Sequence, residues 1–140
     1  EVGVAVSCVF CSLLRREIPG RIVFERGRVA AFLDLHPVAE GHVLLAPRDH
    51  FATWTDLPPD LAAELAAASQ ELARAVLRAS GAEGFNLLMN NHACSGQAVA
   101  HAHLHVIPRR TGDGIRYQWP SKDPSPAELD RAAERLRAAF

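Results

Sequence analysis

The sequence predicts one domain that mixes short β-strands with a long α-helix, and three observations predict it. The first is His101-Ala102-His103-Leu104-His105-Val106-Ile107, where histidines alternate with apolar residues at the side-chain period of a strand. The second is an alanine-rich stretch opened by Leu57-Pro58-Pro59-Asp60 and stopped by Gly81, in which Leu61, Leu65, Leu72 and Val76 recur at near-helical spacing. The third is size. A chain of 140 residues, 49% apolar and 22% charged, suits a single core with an ordinary soluble composition.

In the histidine stretch, period two sends all three imidazoles to one face and sends Ala102, Leu104 and Val106 into a core. Pro108 cannot donate to a ladder and is expected to end the strand. Three adjacent imidazoles carry a cost, because each has an ordinary pKa near 6.5 and protonated neighbours repel. Three readings are open: solvated histidines on an outer face, a metal site, or a nucleophile flanked by helpers.

The bulk numbers exclude several classes. Net charge is −1 with seven histidines neutral, so a basic face for nucleic acid is not expected, and any phosphate must be held by local donors. No apolar stretch approaches 18 residues, so no transmembrane helix and no membrane partner are expected. Residues 1–7 lack a basic start and a long apolar block, which argues against a signal peptide. Three cysteines do not make a disulfide framework, and a reducing cytoplasm is the expected location.

The remaining elements follow in order. Cys8-Val9-Phe10-Cys11 is a redox pair, half a zinc site, or two small buried hydrophobes. A thioredoxin-like site would want a preceding strand and a helix starting at the first cysteine. Residues 12–17 instead read as a short helix closed by Ile18-Pro19-Gly20, with no strand before it. Residues 21–25 and 29–33 read as strands of a hairpin turning at Arg26-Gly27-Arg28. Asp34-Leu35-His36-Pro37 leaves the sheet, residues 38–41 form a loop, and residues 42–47 form a third strand ending before Arg48-Asp49-His50. Beyond the long helix, residues 85–90 read as a fourth strand. A loop of small and polar residues, 91–97, then feeds the histidine strand. Ser125-Pro126-Ala127-Glu128 is a capping box opening a terminal helix over residues 129–139.

Two constellations carry chemistry. Cys8, Cys11 and His50 with one strand histidine, His101 being nearest the strand's start, would complete a tetrahedral zinc site. Such a site has no open position and would be structural; the other reading of His50 is an exposed loop residue. That leaves His103 and His105. A neutral imidazole attacks an activated phosphorus if one ring nitrogen is free and an acceptor such as a backbone carbonyl holds the other nitrogen's proton. His105 faces the same way and can donate to the phosphate, and Gly96-Gln97 can supply donors where charge develops. Asp34 either accepts from a ribose or caps its own turn.

His-x-His-x-His followed by two apolar residues resembles the signature of the histidine-triad (HIT) family. Ile18-Pro19, Phe32-Leu33-Asp34, Pro37, Gly41-His42, Pro47, His50, Asn90 and Gly96-Gln97 recur in family order. The resemblance covers residues 8–108 of a single domain, 1–140, with 109–140 as a helical extension. It implies an α+β fold: a five-stranded antiparallel sheet with one long and one or two shorter helices, paired across a homodimer. It implies cleavage of a nucleoside monophosphate, of AMP type, from a phosphoramidate or a (di)nucleoside polyphosphate through a nucleotidyl-histidine intermediate. By motif position, His103 corresponds to the nucleophile, His105 to its phosphate-binding partner and His42 to a histidine behind the triad. Asp34 matches the ribose position, and Gln97 the leaving side. Asn90 and Val99 match the phosphate pocket. Val9, Phe10, Leu13, Ile18, Phe32, Leu33 and Leu35 match the base pocket. Cys8, Cys11, His50 and His101 match the structural zinc site, one ion per chain, of a bacterial branch. The sequence departs from the pattern at Ala98, where a hydroxyl donor is common, and at His36, His92 and Cys94. Two alternatives stand beside this reading: a nucleotide-binding regulatory module with little turnover, and a metalloenzyme using all three strand histidines as ligands.

Overall fold

The computed structural model describes residues 8–116 and 118–140; the expectation about residues 1–7 falls outside them. Its elements are α1 (Val9–Leu14), β1 (Ile22–Arg26), β2 (Val29–Leu33), β3 (Val43–Pro47), α2 (Pro59–Ser80), β4 (Gly84–Leu88), β5 (Leu104–Arg109) and α3 (Pro126–Ala138), with short 3₁₀ turns at Trp54–Asp56 and Ala93–Ser95. The five strands form one antiparallel sheet in the order β1-β2-β3-β5-β4. This is the α+β arrangement that the sequence resemblance implied.

The sheet buries both faces, each against a different helix. On one face α2 lays Leu61, Leu65, Ala68, Leu72 and Val76 across Val29, Ala31, Val43, Leu45, Leu104 and Val106. Each such leucine contributes about 1.5–3 kcal/mol by leaving water. α2 starts at Pro59, where a missing N–H costs nothing, and stops at Gly81, whose φ of 65° is the left-handed cap that a glycine takes without a Cβ clash. The opposite face is smaller. There α1 sets Phe10, Leu13 and Leu14 against Ala30, Phe32, Leu44 and Ala46. Among the described residues no helix is long and apolar enough to cross a membrane.

The structure corrects several boundaries. The first helix is Val9–Leu14, not 12–17: it begins directly after Cys8 and is broken at Arg16, whose φ is 60°. The histidine stretch enters the sheet late, because the His101 N–H donates to Val99 O and the Ala102 N–H to Phe51 O, and ladder pairing starts only at Leu104 opposite Leu45. Pro108 does not end β5; it pairs opposite Phe85. β3 reaches only to Val43, opposite Val106, so at Pro108 the strand is locally an edge, where proline is tolerated. β1 and β4 each sit one residue from their expected start, and β4 stops at Leu88, before Met89 and Asn90. The capping box forms as read: Glu128 N–H donates to Ser125 Oγ, and Ser125 N–H to Glu128 Oε2.

Candidate functional site

The histidines lie on the α1 face, and backbone groups fix their proton positions one after another. His103 Nδ1 is 2.6 Å from His101 O, so Nδ1–H donates and Nε2 keeps its lone pair. The Phe10 ring meets the His103 ring edge to face at 5.0 Å and 89°. Burial pushes the His103 pKa down, and the bond to the His101 carbonyl opposes it. Behind the pair, the Val38 N–H donates to His42 Nδ1 at 3.2 Å. His42 therefore carries its proton on Nε2 and gives it to His105 Nδ1 at 2.9 Å. His105 in turn must carry its own proton on Nε2. Burial first, then the neighbouring His103 and His42, push the His105 pKa down to about 4. Burial also lowers His42, with Asp34 opposing.

Asp34 follows β2 and serves two ways. Its Oδ1 accepts from the His36 N–H at 2.8 Å, the turn cap, while Oδ2 lies 3.5 Å from His42 Nε2 beside the histidines. Phe10, Leu13 and Phe32 are buried below this face, whereas Val9, Ile18 and Leu35 are 50%, 37% and 66% exposed. A cavity of about 510 Å³ lies between Leu13, Ile18 and Ile22. Leu33 packs on the α2 face instead, since residues alternate along β2. A second cavity, about 630 Å³, lies on that side between α2 and the sheet and is lined by no histidine.

The loop before the histidines is held by Gln97. Its Oε1 accepts from the His92 N–H at 2.7 Å and its Nε2 donates to Ala52 O at 2.6 Å. His92 has a φ of 70° and Gly96 one of 106°, a strained path that these bonds support. Asn90 lies beside Gly96, and Val99 packs against the Phe10 cluster. Val38 was missed in the sequence: its contribution is a backbone N–H, which leaves no side-chain signal.

Cys8, Cys11, His50 and His101 converge, their ligand atoms all within 4.8 Å of one another. His101 Nδ1 is 3.5 Å from both sulfurs, and His50 Nδ1 is 3.5 Å from Cys11 Sγ. The buried His101 ring donates Nε2–H to Pro47 O at 2.8 Å, which leaves Nδ1 as a lone pair aimed at the sulfurs. Two thiols and two imidazoles, one oriented by a carbonyl, are a donor set that fits Zn²⁺. Burial, then Cys8, raise the Cys11 thiol pKa. Asp34, His42 and His105 also cluster, but His42 Nε2 carries the proton that Val38 dictates and offers no lone pair. Among the described residues the three strand histidines do not form one ligand set.

Comparison with known proteins gives a consistent result. A family model described as "HIT domain" matches residues 15–112. The adenylylsulfatase HINT3 of Arabidopsis thaliana is 34% identical over 131 residues, which are 92% of this chain and 65% of that protein. This chain thus spans just under two thirds of the plant protein's length. An adenosine 5'-monophosphoramidase of Candida albicans is 31% identical over 136 residues, 94% of this chain and 90% of that one. A crystal structure from Streptococcus mutans UA159 superposes with a TM-score of 0.91 at 33% identity, covering 99% of this chain and 88% of that chain. A zinc-bound histidine triad family protein of Mycobacterium smegmatis superposes at 0.75 with 35% identity, covering 96% and 98%.

Proposed function

Because this chain belongs to the HIT family, we propose that it is a nucleotide hydrolase or transferase that cleaves an AMP-type nucleoside monophosphate from a phosphoramidate or a (di)nucleoside polyphosphate. The observation that carries the reading is the 2.6 Å bond from His103 Nδ1–H to the His101 carbonyl, which leaves Nε2 as a free nucleophile. His103 Nε2 attacks the α-phosphorus and expels the leaving group, and water then cleaves the resulting phosphorus–nitrogen bond. Two displacements retain configuration at phosphorus. His105 Nε2–H donates to the phosphate as charge shifts. Asp34 Oδ2 accepts from the ribose, and the base lies against Val9, Ile18 and Leu35 above the Phe10 and Phe32 rings. Gln97 acts through the loop it ties to Ala52, and Asn90 and Val99 border the phosphate.

Acid-quenched mass spectrometry over a panel of adenosine phosphoramidates and polyphosphates tests this. A nucleotidyl adduct on the His103 peptide is expected, and it should vanish in His103→Ala. Inversion at phosphorus overturns the covalent route. Binding with neither adduct nor turnover favours a regulatory module instead.

Cys8, Cys11, His50 and His101 would hold one structural Zn²⁺, which stitches the segment before α1 to the ends of β3 and the histidine stretch. The protein works as a homodimer in this reading. Support comes from β4, a sheet edge with Phe85 and Leu87 exposed, and from α3, whose Leu129 and Leu136 are exposed in the single chain. Light scattering should give twice the 15.2 kDa chain mass.

A further inference from the structure

His101 belongs to both constellations. Its Nδ1 faces both cysteines at 3.5 Å, and its carbonyl oxygen takes the His103 proton at 2.6 Å. The two cysteines also meet one requirement of a redox pair that the expected helix over residues 12–17 did not offer, a helix opening at the first cysteine. Cys8 immediately precedes α1 and Cys11 lies in its first turn. As whole residues both are of intermediate exposure, and His50 beside Cys11 is exposed, so the cluster lies at the protein's edge. The sulfurs lie within 4.8 Å of each other. A tetrahedral ion with Zn–S bonds near 2.3 Å keeps its sulfurs roughly 3.8 Å apart, whereas a disulfide brings them to about 2.05 Å. Bound metal and disulfide are mutually exclusive states of one pair of side chains.

We infer that Cys8 and Cys11 form a redox-sensitive dithiol, which a two-electron oxidant of the peroxide class converts to an intramolecular disulfide with release of the metal. One sulfur attacks a peroxide oxygen, breaking the O–O bond and giving a sulfenic acid and water. The second sulfur attacks the sulfenic sulfur, forms the S–S bond and expels a second water. Two electrons leave the two metal-bound thiolate sulfurs, both peroxide oxygens are reduced to water with two protons taken up from solvent, and the metal departs with its charge unchanged. The effect reaches the candidate nucleophile through a single residue. His101 loses its partner at Nδ1, and the backbone oxygen that orients His103 belongs to that same residue. Exposed Cys94 lies outside this pair and would give only bridges between chains.

The inference rests on the zinc reading, and the test separates the two. Zinc-loaded Cys94→Ser protein is treated with hydrogen peroxide, and zinc release to a chromogenic chelator, intact mass and thermal stability are followed together. One equivalent of zinc released per chain, a loss of about 2 Da, a lowered Tm and recovery with dithiothreitol plus zinc are expected. Turnover of a phosphoramidate should fall roughly 10–100-fold in the oxidised form. Zinc retained under peroxide, or thiols driven to sulfinic acid with no disulfide, overturns the inference alone. A reduced protein that holds no zinc overturns the zinc reading and this inference with it.

Discussion

The α2 face and the α1 face of the sheet are built from alternate residues of the same strands, yet they bury different chemistry. Under α2 the sheet offers Val29, Ala31, Val43, Leu45, Leu104 and Val106, a hydrocarbon layer. Under α1 the intervening residues are Phe32, Leu44, His103 and His105, and each of those imidazoles has a bonded ring nitrogen. Hydrocarbon packing is non-directional and tolerates approximate shape. Buried imidazoles are directional, because a ring nitrogen with the wrong proton is a lost bond. The difference teaches that the histidine stretch, from its approach through β5, divides its labour by parity. Leu104 and Val106 stabilise, while His103 and His105 are placed.

That division can be broken from either side. The largest effect is expected at His103→Ala, with turnover reduced on the order of 10⁶-fold while circular dichroism and Tm stay near wild type. Near-wild-type turnover would remove His103 from the chemistry. Leu65→Ala, on the other face and fully buried, should cost about 2–5 kcal/mol and lower Tm by roughly 10 °C. Its activity per folded molecule should hold, and a selective loss of kcat would show that the two faces are not separable. His105→Ala removes one donor and should cost about 10²–10³ in kcat, distinctly less than His103→Ala.

A pH titration sharpens the comparison further. His42 and His105 are held below the ordinary histidine pKa in the folded chain, so between about 6.5 and the folded values the unfolded chain binds more protons. Their contribution is complete above about pH 6.5 and is lost as pH falls toward about 4. Tm should fall over that window, and the His105 ring should remain neutral at pH 6 by NMR. A His105 ring already charged at pH 6 would contradict the buried, His42-bonded arrangement. The smallest effect is expected at Asp34→Ala, which should weaken ribonucleotides more than deoxynucleotides; equal losses would leave Asp34 with only its turn-capping bond to His36.

Strand parity and helix period made much of this readable from residues alone. The alternation of His101 to Val106 survives even where no ladder forms, because Ala102 still packs with Leu104 and Val106. The α2 stripe and its Gly81 stop needed only local rules. What the sequence hid depends on backbone groups meeting across the chain. Phe51 O takes the ladder bond that Ala102 was expected to make within the sheet. Pro108 stays in β5 because a different strand, β3, ends early. Gln97, which the resemblance puts on the leaving side, bonds through both ends of its amide to His92 and Ala52, a pairing that no spacing rule encodes.

The Val38 amide has a consequence for how the molecule resets. A backbone N–H does not ionise, so the line from Val38 through His42 to His105 has a closed end. In the proposed reaction, a ring that lost its proton would regain it from solvent or by way of Asp34, whose Oδ2 lies 3.5 Å from His42 Nε2, and not from Val38.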